Sequence, residues 1–230
     1  MRRPIPKPKS KKQMERADPD LDQYLKILIV TEGEKTEVTY FNSLKAELRI
    51  PSAKVVISGD SDSSPDKVLQ HAISICERDA DYDIVYVVFD KDRHSTYAST
   101  IDRVNAISGS SDYGEATFKA ITSVPCFEIW LMLHNGYSNK PYASSKAGGS
   151  PAAEVIKDLK LISFFSNYQK NCCDYYPSIS EKRQDAISHA KRLIADGKAV
   201  GDKPHHENPS TRVHLLVEDM LLLIQKNLKK

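Results

Sequence analysis

Residues 84–94, IVYVVFDKDRH, constrain this chain more than any other stretch. Ile84 to Phe89 are apolar or aromatic and mostly β-branched, the composition of a strand buried on both faces of a parallel sheet. Such a strand needs helices on both sides, which sets the fold class as α/β. The run stops at Asp90 and Asp92, with one residue between them. In open α/β sheets ligands bind just beyond the carboxyl ends of the strands. Two carboxylates there suit a hard divalent cation, because Mg²⁺ takes oxygen ligands and keeps waters that a phosphate can replace. A solvated turn is the plainer reading, since aspartate is common where strands end.

A second stretch shifts the balance. Leu25–Thr31 (LKILIVT) is another apolar strand, and it ends at Glu32-Gly33-Glu34. If the two strands are neighbours, Glu32 stands beside the aspartate pair and the three acids form one metal site.

The remaining chain fits repeated strand–helix units. Residues 35–48 predict a helix with Val38, Phe41, Leu44 and Leu48 on one face, closed by Pro51. Residues 54–58 read as a strand, 65–78 as a helix opened by Ser64-Pro65, 97–107 as a helix and 117–124 as a strand. This makes a mostly parallel sheet of about four strands. The loop 59–65 carries Asp60 and Asp62, which leave the same sheet edge and are more simply loop residues.

Residues 125–136 (PCFEIWLMLHNG) predict a short helix that is apolar nearly all round and therefore buried. Glu128 is the anomaly on it: it is either a charge near a helix N-terminus or a carboxylate with a buried partner or metal. His134 at the other end reads as a helix C-terminal cation. A linker rich in small polar residues and glycine spans 137–150, and helices are expected at 151–167, 180–197 and 209–227. The domain reading is a basic arm at 1–24, an α/β domain at 25–136 and a helical extension at 137–230 packed on it.

Net charge is +2, so the chain as a whole is no polycation, although residues 1–12 carry six basic residues and no acid. Such an arm is solvated by default and is also able to contact phosphate. The charged face of the helix at 180–197 divides in the same way. No run of about 18 apolar residues offers a membrane span, and the N-terminus lacks the apolar region of a secretory signal. A cytoplasmic location is expected, with Cys76, Cys126, Cys172 and Cys173 as free thiols. Adjacent Cys172-Cys173 with His205-His206 do not have zinc-ligand spacing. There is no G-x-x-x-x-G-K-[ST], so the chain is not itself a P-loop ATPase.

The strand ending in Glu32-Gly33 and the later one ending in Asp90-x-Asp92 resemble the Toprim fold, the metal-binding domain of topoisomerases, bacterial primases and OLD-type nucleases. Four blocks narrow the likeness: VTEGEKTEVTYFNSL (30–44), VVFDKDRH (87–94), PCFEIWLMLH (125–134) and NPSTRVHLLVEDML (208–221) together resemble the RloB-like family. That resemblance implies a Toprim-like Rossmannoid core with added helices. It also implies a role in bacterial anti-phage or abortive-infection defence beside a separately encoded AAA/ABC-type ATPase, and nuclease activity, on tRNA in some related systems. Glu32 matches the Toprim glutamate, Asp90 and Asp92 match its aspartate pair, and Glu37 takes the position of a further acid in OLD-like versions. Glu34, Glu128, Arg93 and His94 fall in matching blocks without an assigned role.

The resulting expectation is a Mg²⁺- or Mn²⁺-dependent endonuclease. Asp90 and Asp92 hold the metal, Glu32 completes the shell or acts as base, and Glu37 supports it. His94 or Arg93 contacts the phosphate, and Lys35 does the same from a helix N-terminus. RNA is favoured over DNA by family analogy alone. Three alternatives remain: a nucleotide-using transferase, a non-catalytic interaction subunit of the ATPase complex, and a Toprim nickase acting alone. Self-association is left open.

Overall fold

The computed structural model describes residues 25–52, 55–59, 64–79, 81–113, 115–144, 148–170, 175–201 and 205–228, with side chains placed as far as residue 224. The basic arm at 1–24, Asp60, Asp62, Cys172 and Cys173 lie outside the described residues.

Strands and helices alternate as the apolar runs predict. In chain order they are β1 (Ile27–Thr31), α1 (Thr36–Glu47), β2 (Val55–Gly59), α2 (Pro65–Arg78), β3 (Ile84–Asp90), α3 (Tyr97–Ile107) and β4 (Thr117–Val124). The sheet order is β2-β1-β3-β4-β5, and the first four of these strands run parallel. The protein is thus α/β with a mostly parallel, Rossmann-like core. The fifth strand, β5 (Ser210–Thr211), pairs antiparallel with the end of β4. With two residues it is too short to carry a strand period, which is why about four strands were expected.

Alternate residues of the central strands face opposite ways, and each face has its own core. Ile27, Ile29, Tyr86 and Val88 pack with Tyr40, Phe41 and Leu44 of α1. Leu28, Val30, Val85, Val87 and Phe89 pack with α2 and α3 through residues such as Leu69, Ala72 and Val104. On α1 the buried face includes Tyr40, while Val38 is only half-buried.

Beyond β4 the chain makes the short helix α4 (Glu128–Leu133), then α5 (Pro151–Leu159), α6 (Tyr176–Ser180), α7 (Arg183–Ala199) and α8 (Val213–Leu228). The first expected C-terminal helix is therefore shorter, ending at Leu159 before a turn of 3₁₀ helix at Ser163–Phe165. These helices join the α1 face: Val155, Ile187, Leu216 and Met220 belong to the same apolar cluster as Ile29 and Trp130. The segments before and after residue 136 thus share a core on that face. Among the described residues no helix is long and apolar enough to cross a membrane.

His134 corrects one expectation. Its ring is 2% exposed. It packs against Trp130 at 4.8 Å and Tyr40 at 6.4 Å between centroids. Its Nδ1–H donates to the Trp130 carbonyl at 2.9 Å. Burial pulls its pKa down from 6.5 to about 4, so at neutral pH it is an uncharged core residue and not a helix-end cation. The unfolded chain binds a proton near pH 6.5 and the folded one only near 4, so stability is fully present above about pH 6.5 and falls as pH drops towards 4. The loss is on the order of 3 kcal/mol across that window. Urea unfolding at pH 7 and pH 4.5 should show it. His134→Phe, which keeps a ring in the slot, should show a smaller drop than wild type.

Candidate active site

The strand order creates the site. From β1 the chain passes through α1 to β2 on one side, then returns through α2 to β3 on the other. Two oppositely directed connections leave a crevice at the carboxyl ends of β1 and β3, the switch point where α/β folds bind ligands. Thr31 pairs with Val88, so the residues that follow β1 lie beside the end of β3. The Glu32 N–H donates to the Val88 carbonyl at 3.0 Å. The Asp90 N–H in turn donates to Glu32 Oε2, also at 3.0 Å. Glu32 and Asp90, 58 residues apart, touch.

A cavity of about 310 Å³ opens here, lined by the carboxylates of Glu32, Glu37, Asp90 and Glu128, by Glu34 nearer solvent, and by Lys35 and Lys170. Glu37 comes from the first turn of α1 and is 9% exposed, and Glu128 opens α4 and is 1% exposed. Burial, with Glu37, Glu32 and Glu128 nearby, holds the Asp90 carboxyl well above the usual carboxylate range. Burial also pushes Glu37 up to about 7, with Glu128 and Glu32 adding to the effect. Like charges gathered out of water resist ionisation unless a cation joins them.

The other expected site residues have separate places. Asp92 is not among the residues lining this cavity. It lies in the turn after β3 with φ +26°, its N–H donating to the Pro125 carbonyl at 2.9 Å. His94 Nε2 is 3.2 Å from Glu32 Oε1. The Arg93 guanidinium donates to the Gly148 carbonyl at 3.0 Å, away from the cavity lining. Of the expected trio, Glu32 and Asp90 line the cavity, and the further carboxylates there are Glu34, Glu37 and Glu128.

Whether a divalent cation suits these residues turns on two observations. Among the described residues no three His, Cys, Asp or Glu side chains close on a common point tightly enough to hold an ion by themselves. Yet Asp92 Oδ1 is buried without a hydrogen-bond partner, a costly state for a carboxylate oxygen that a cation relieves. Mg²⁺ commonly takes one or two carboxylates and completes its octahedron with water, so an all-oxygen set of this kind fits it.

Two features of the site escape the sequence. Lys170 reaches the cavity from the far C-terminal segment, its Nζ 3.9 Å from Glu128 Oε1, and Glu128 raises its pKa. No spacing or motif marks it. Glu128 itself was legible as a carboxylate inside an apolar helix. The second feature is Gly59 at the end of β2. A Cβ there would meet Gly33 O at 2.8 Å, Glu34 Cα at 3.0 Å and Val38 Cγ2 at 2.7 Å. Two of these are backbone atoms of the loop after Glu32, so that loop must move. Gly59→Ala should cost about 1–3 kcal/mol by overpacking, read as a lowered urea midpoint.

The fold and the cavity define a class: an α/β protein with an acidic crevice at the switch point of its sheet. The model of the family described as RloB-like protein matches residues 27–220, and the chain belongs to that family. No curated protein and no solved structure is significantly similar to it.

Proposed function

We infer that this RloB-like protein is a metal-dependent nuclease that cleaves phosphodiester bonds at the crevice between β1 and β3. One observation carries the reading: Glu32, Glu37, Asp90 and Glu128 line a single cavity at the switch point, two of them with raised carboxyl pKa values. Such a concentration of strained carboxylates in a cleft is characteristic of sites that bind cations or move protons. Asp90, Glu32 and the unsatisfied Asp92 oxygen are the residues to hold Mg²⁺ or Mn²⁺. Bound there, the cation would neutralise charge on the phosphoryl oxygens and make a water more acidic.

The chain's own groups supply the remaining parts. Glu37, with a pKa near 7, is matched to accepting or returning a proton at neutral pH. Lys170 and Lys35 offer ammonium groups to a phosphate oxygen at the cavity, and Glu128 holds the first of them close. His94 bears on Glu32 and orients its carboxylate. By family analogy the substrate is RNA, with tRNA favoured over DNA, and the setting is anti-phage defence with an AAA/ABC-type ATPase in the bacterial cytoplasm.

The second reading is a non-catalytic subunit of that ATPase complex, which keeps the fold without turning over a substrate. Incubating the protein with Mg²⁺ or Mn²⁺ and labelled total tRNA or plasmid, with and without the ATPase, separates the two. Metal-dependent cleavage supports the nuclease; inertness in every mixture supports the interaction subunit.

A further inference from the structure

Among the described residues, the C-terminal segment reaches the cavity at Lys170, and two buried hydroxyls hold it there. Thr36, the first residue of α1 and 5% exposed, donates from Oγ1 to the Lys170 carbonyl at 2.8 Å. The same oxygen is 3.3 Å from the hydroxyl of Tyr168. Tyr168, 5% exposed, donates that hydroxyl to Glu128 Oε1 at 2.9 Å. Phe165 and Tyr175 brace its ring, with centroids at 6.0 and 5.7 Å. One chain of contacts therefore joins α1, α4 and the segment bearing Lys170. It fixes both the backbone of Lys170 and the carboxylate nearest its ammonium.

Lys170 needs this help. Its side chain is 59% exposed, and its ammonium is 3.9 Å from Glu128 Oε1, an ion-pair distance longer than a direct hydrogen bond. A long exposed lysine loses its geometry readily, because ordering its rotamers costs entropy. A carbonyl pinned by Thr36 and a carboxylate pinned by Tyr168 reduce that freedom from both ends.

We propose that Thr36 and Tyr168 are positioning residues that set the Lys170 ammonium at the cavity as its phosphate-binding cation. This makes the C-terminal segment part of the substrate site. The proposal deepens the nuclease reading and rests on it. Tyr168→Phe and Thr36→Val keep the shape of the buried side chains and remove the hydroxyls. Each should weaken binding of a phosphate-bearing strand by about tenfold, and Lys170→Ala by at least as much.

The test avoids turnover. Full-length protein is titrated with Mn²⁺ by calorimetry, then with a fluorescein-labelled single-stranded RNA decamer in Ca²⁺ by anisotropy, with thermal melting confirming the fold. The proposal expects weaker RNA binding in Thr36→Val, Tyr168→Phe and Lys170→Ala, recovery in Thr36→Ser, and no loss of Mn²⁺ affinity in Lys170→Ala, where one positive charge beside the acids is gone. A Thr36→Ser protein as weak as Thr36→Val marks a merely structural role and overturns it. RNA binding at the wild-type level in folded Tyr168→Phe or Lys170→Ala overturns it while leaving the nuclease reading intact. Wild-type protein that binds neither Mn²⁺ nor RNA overturns both.

Discussion

Asp90→Asn is expected to lower cleavage by at least about a hundredfold, the scale on which removing a preorganised charge from a reacting centre acts, and to weaken Mn²⁺ binding measured by calorimetry. The substitution keeps size and shape, and an amide oxygen can still accept the Phe127 N–H that Asp90 Oδ2 accepts at 3.1 Å. What it removes is a negative charge held beside Glu37, Glu32 and Glu128. That charge costs stability in the cation-free protein. With a folded pKa above its unfolded one, the carboxyl carries no penalty below its unfolded pKa, and the penalty grows as pH rises towards the folded value. Asp90→Asn should therefore melt higher than wild type at neutral pH without metal, and the gap should close when Mn²⁺ is added to wild type alone. Loss of cleavage together with raised thermal stability separates a lost ligand from a damaged fold. Cleavage at the wild-type rate would refute Asp90 as part of the site.

Trp130→Ala is expected to cost about 3–5 kcal/mol, the range for emptying a buried aromatic site, measured as a fall in urea unfolding free energy. Trp130 is fully buried at the centre of α4. Its ring meets Tyr40 of α1 edge-on at 6.2 Å and His134 at 4.8 Å. Two residues earlier on the same short helix stands Glu128, so loss of the indole loosens the element that carries a carboxylate of the candidate site. Trp130→Phe, which leaves much of the ring in place, should cost less than half as much. If both variants also weaken RNA binding while Mn²⁺ binding persists, the effect runs through Glu128 and Lys170. If Trp130→Ala is within 1 kcal/mol of wild type, α4 is not the keystone its burial indicates.

Much of the candidate site was legible because strands announce their ends. A fully apolar run that stops at Glu32 or Asp90 says where the sheet edge is, and sheet edges are where α/β proteins bind ligands. Glu128 could be noticed for a similar reason, since a carboxylate in an apolar helix demands a partner. Asp92 is legible as a second acid after the same strand, but the conformation of the turn that carries it is not, because one-residue spacing does not fix a turn's backbone. In the turn after β3 its backbone takes φ +26°, and its Oδ1 is buried without a hydrogen-bond partner. His134 was misjudged because its sequence place at a helix end hides the aromatic packing that keeps it neutral.

By itself the sequence determined the alternation of strands and helices, the α/β class and the carboxylates at two strand ends, because hydrophobic periodicity is a local property. The tertiary structure alone decided which acids meet. Register across β1 and β3 joins Glu32 to Asp90, and the return of the C-terminal segment brings Lys170 and Tyr168 to Glu128. Contacts between residues so far apart in the chain depend on how whole elements pack, and no local pattern records that.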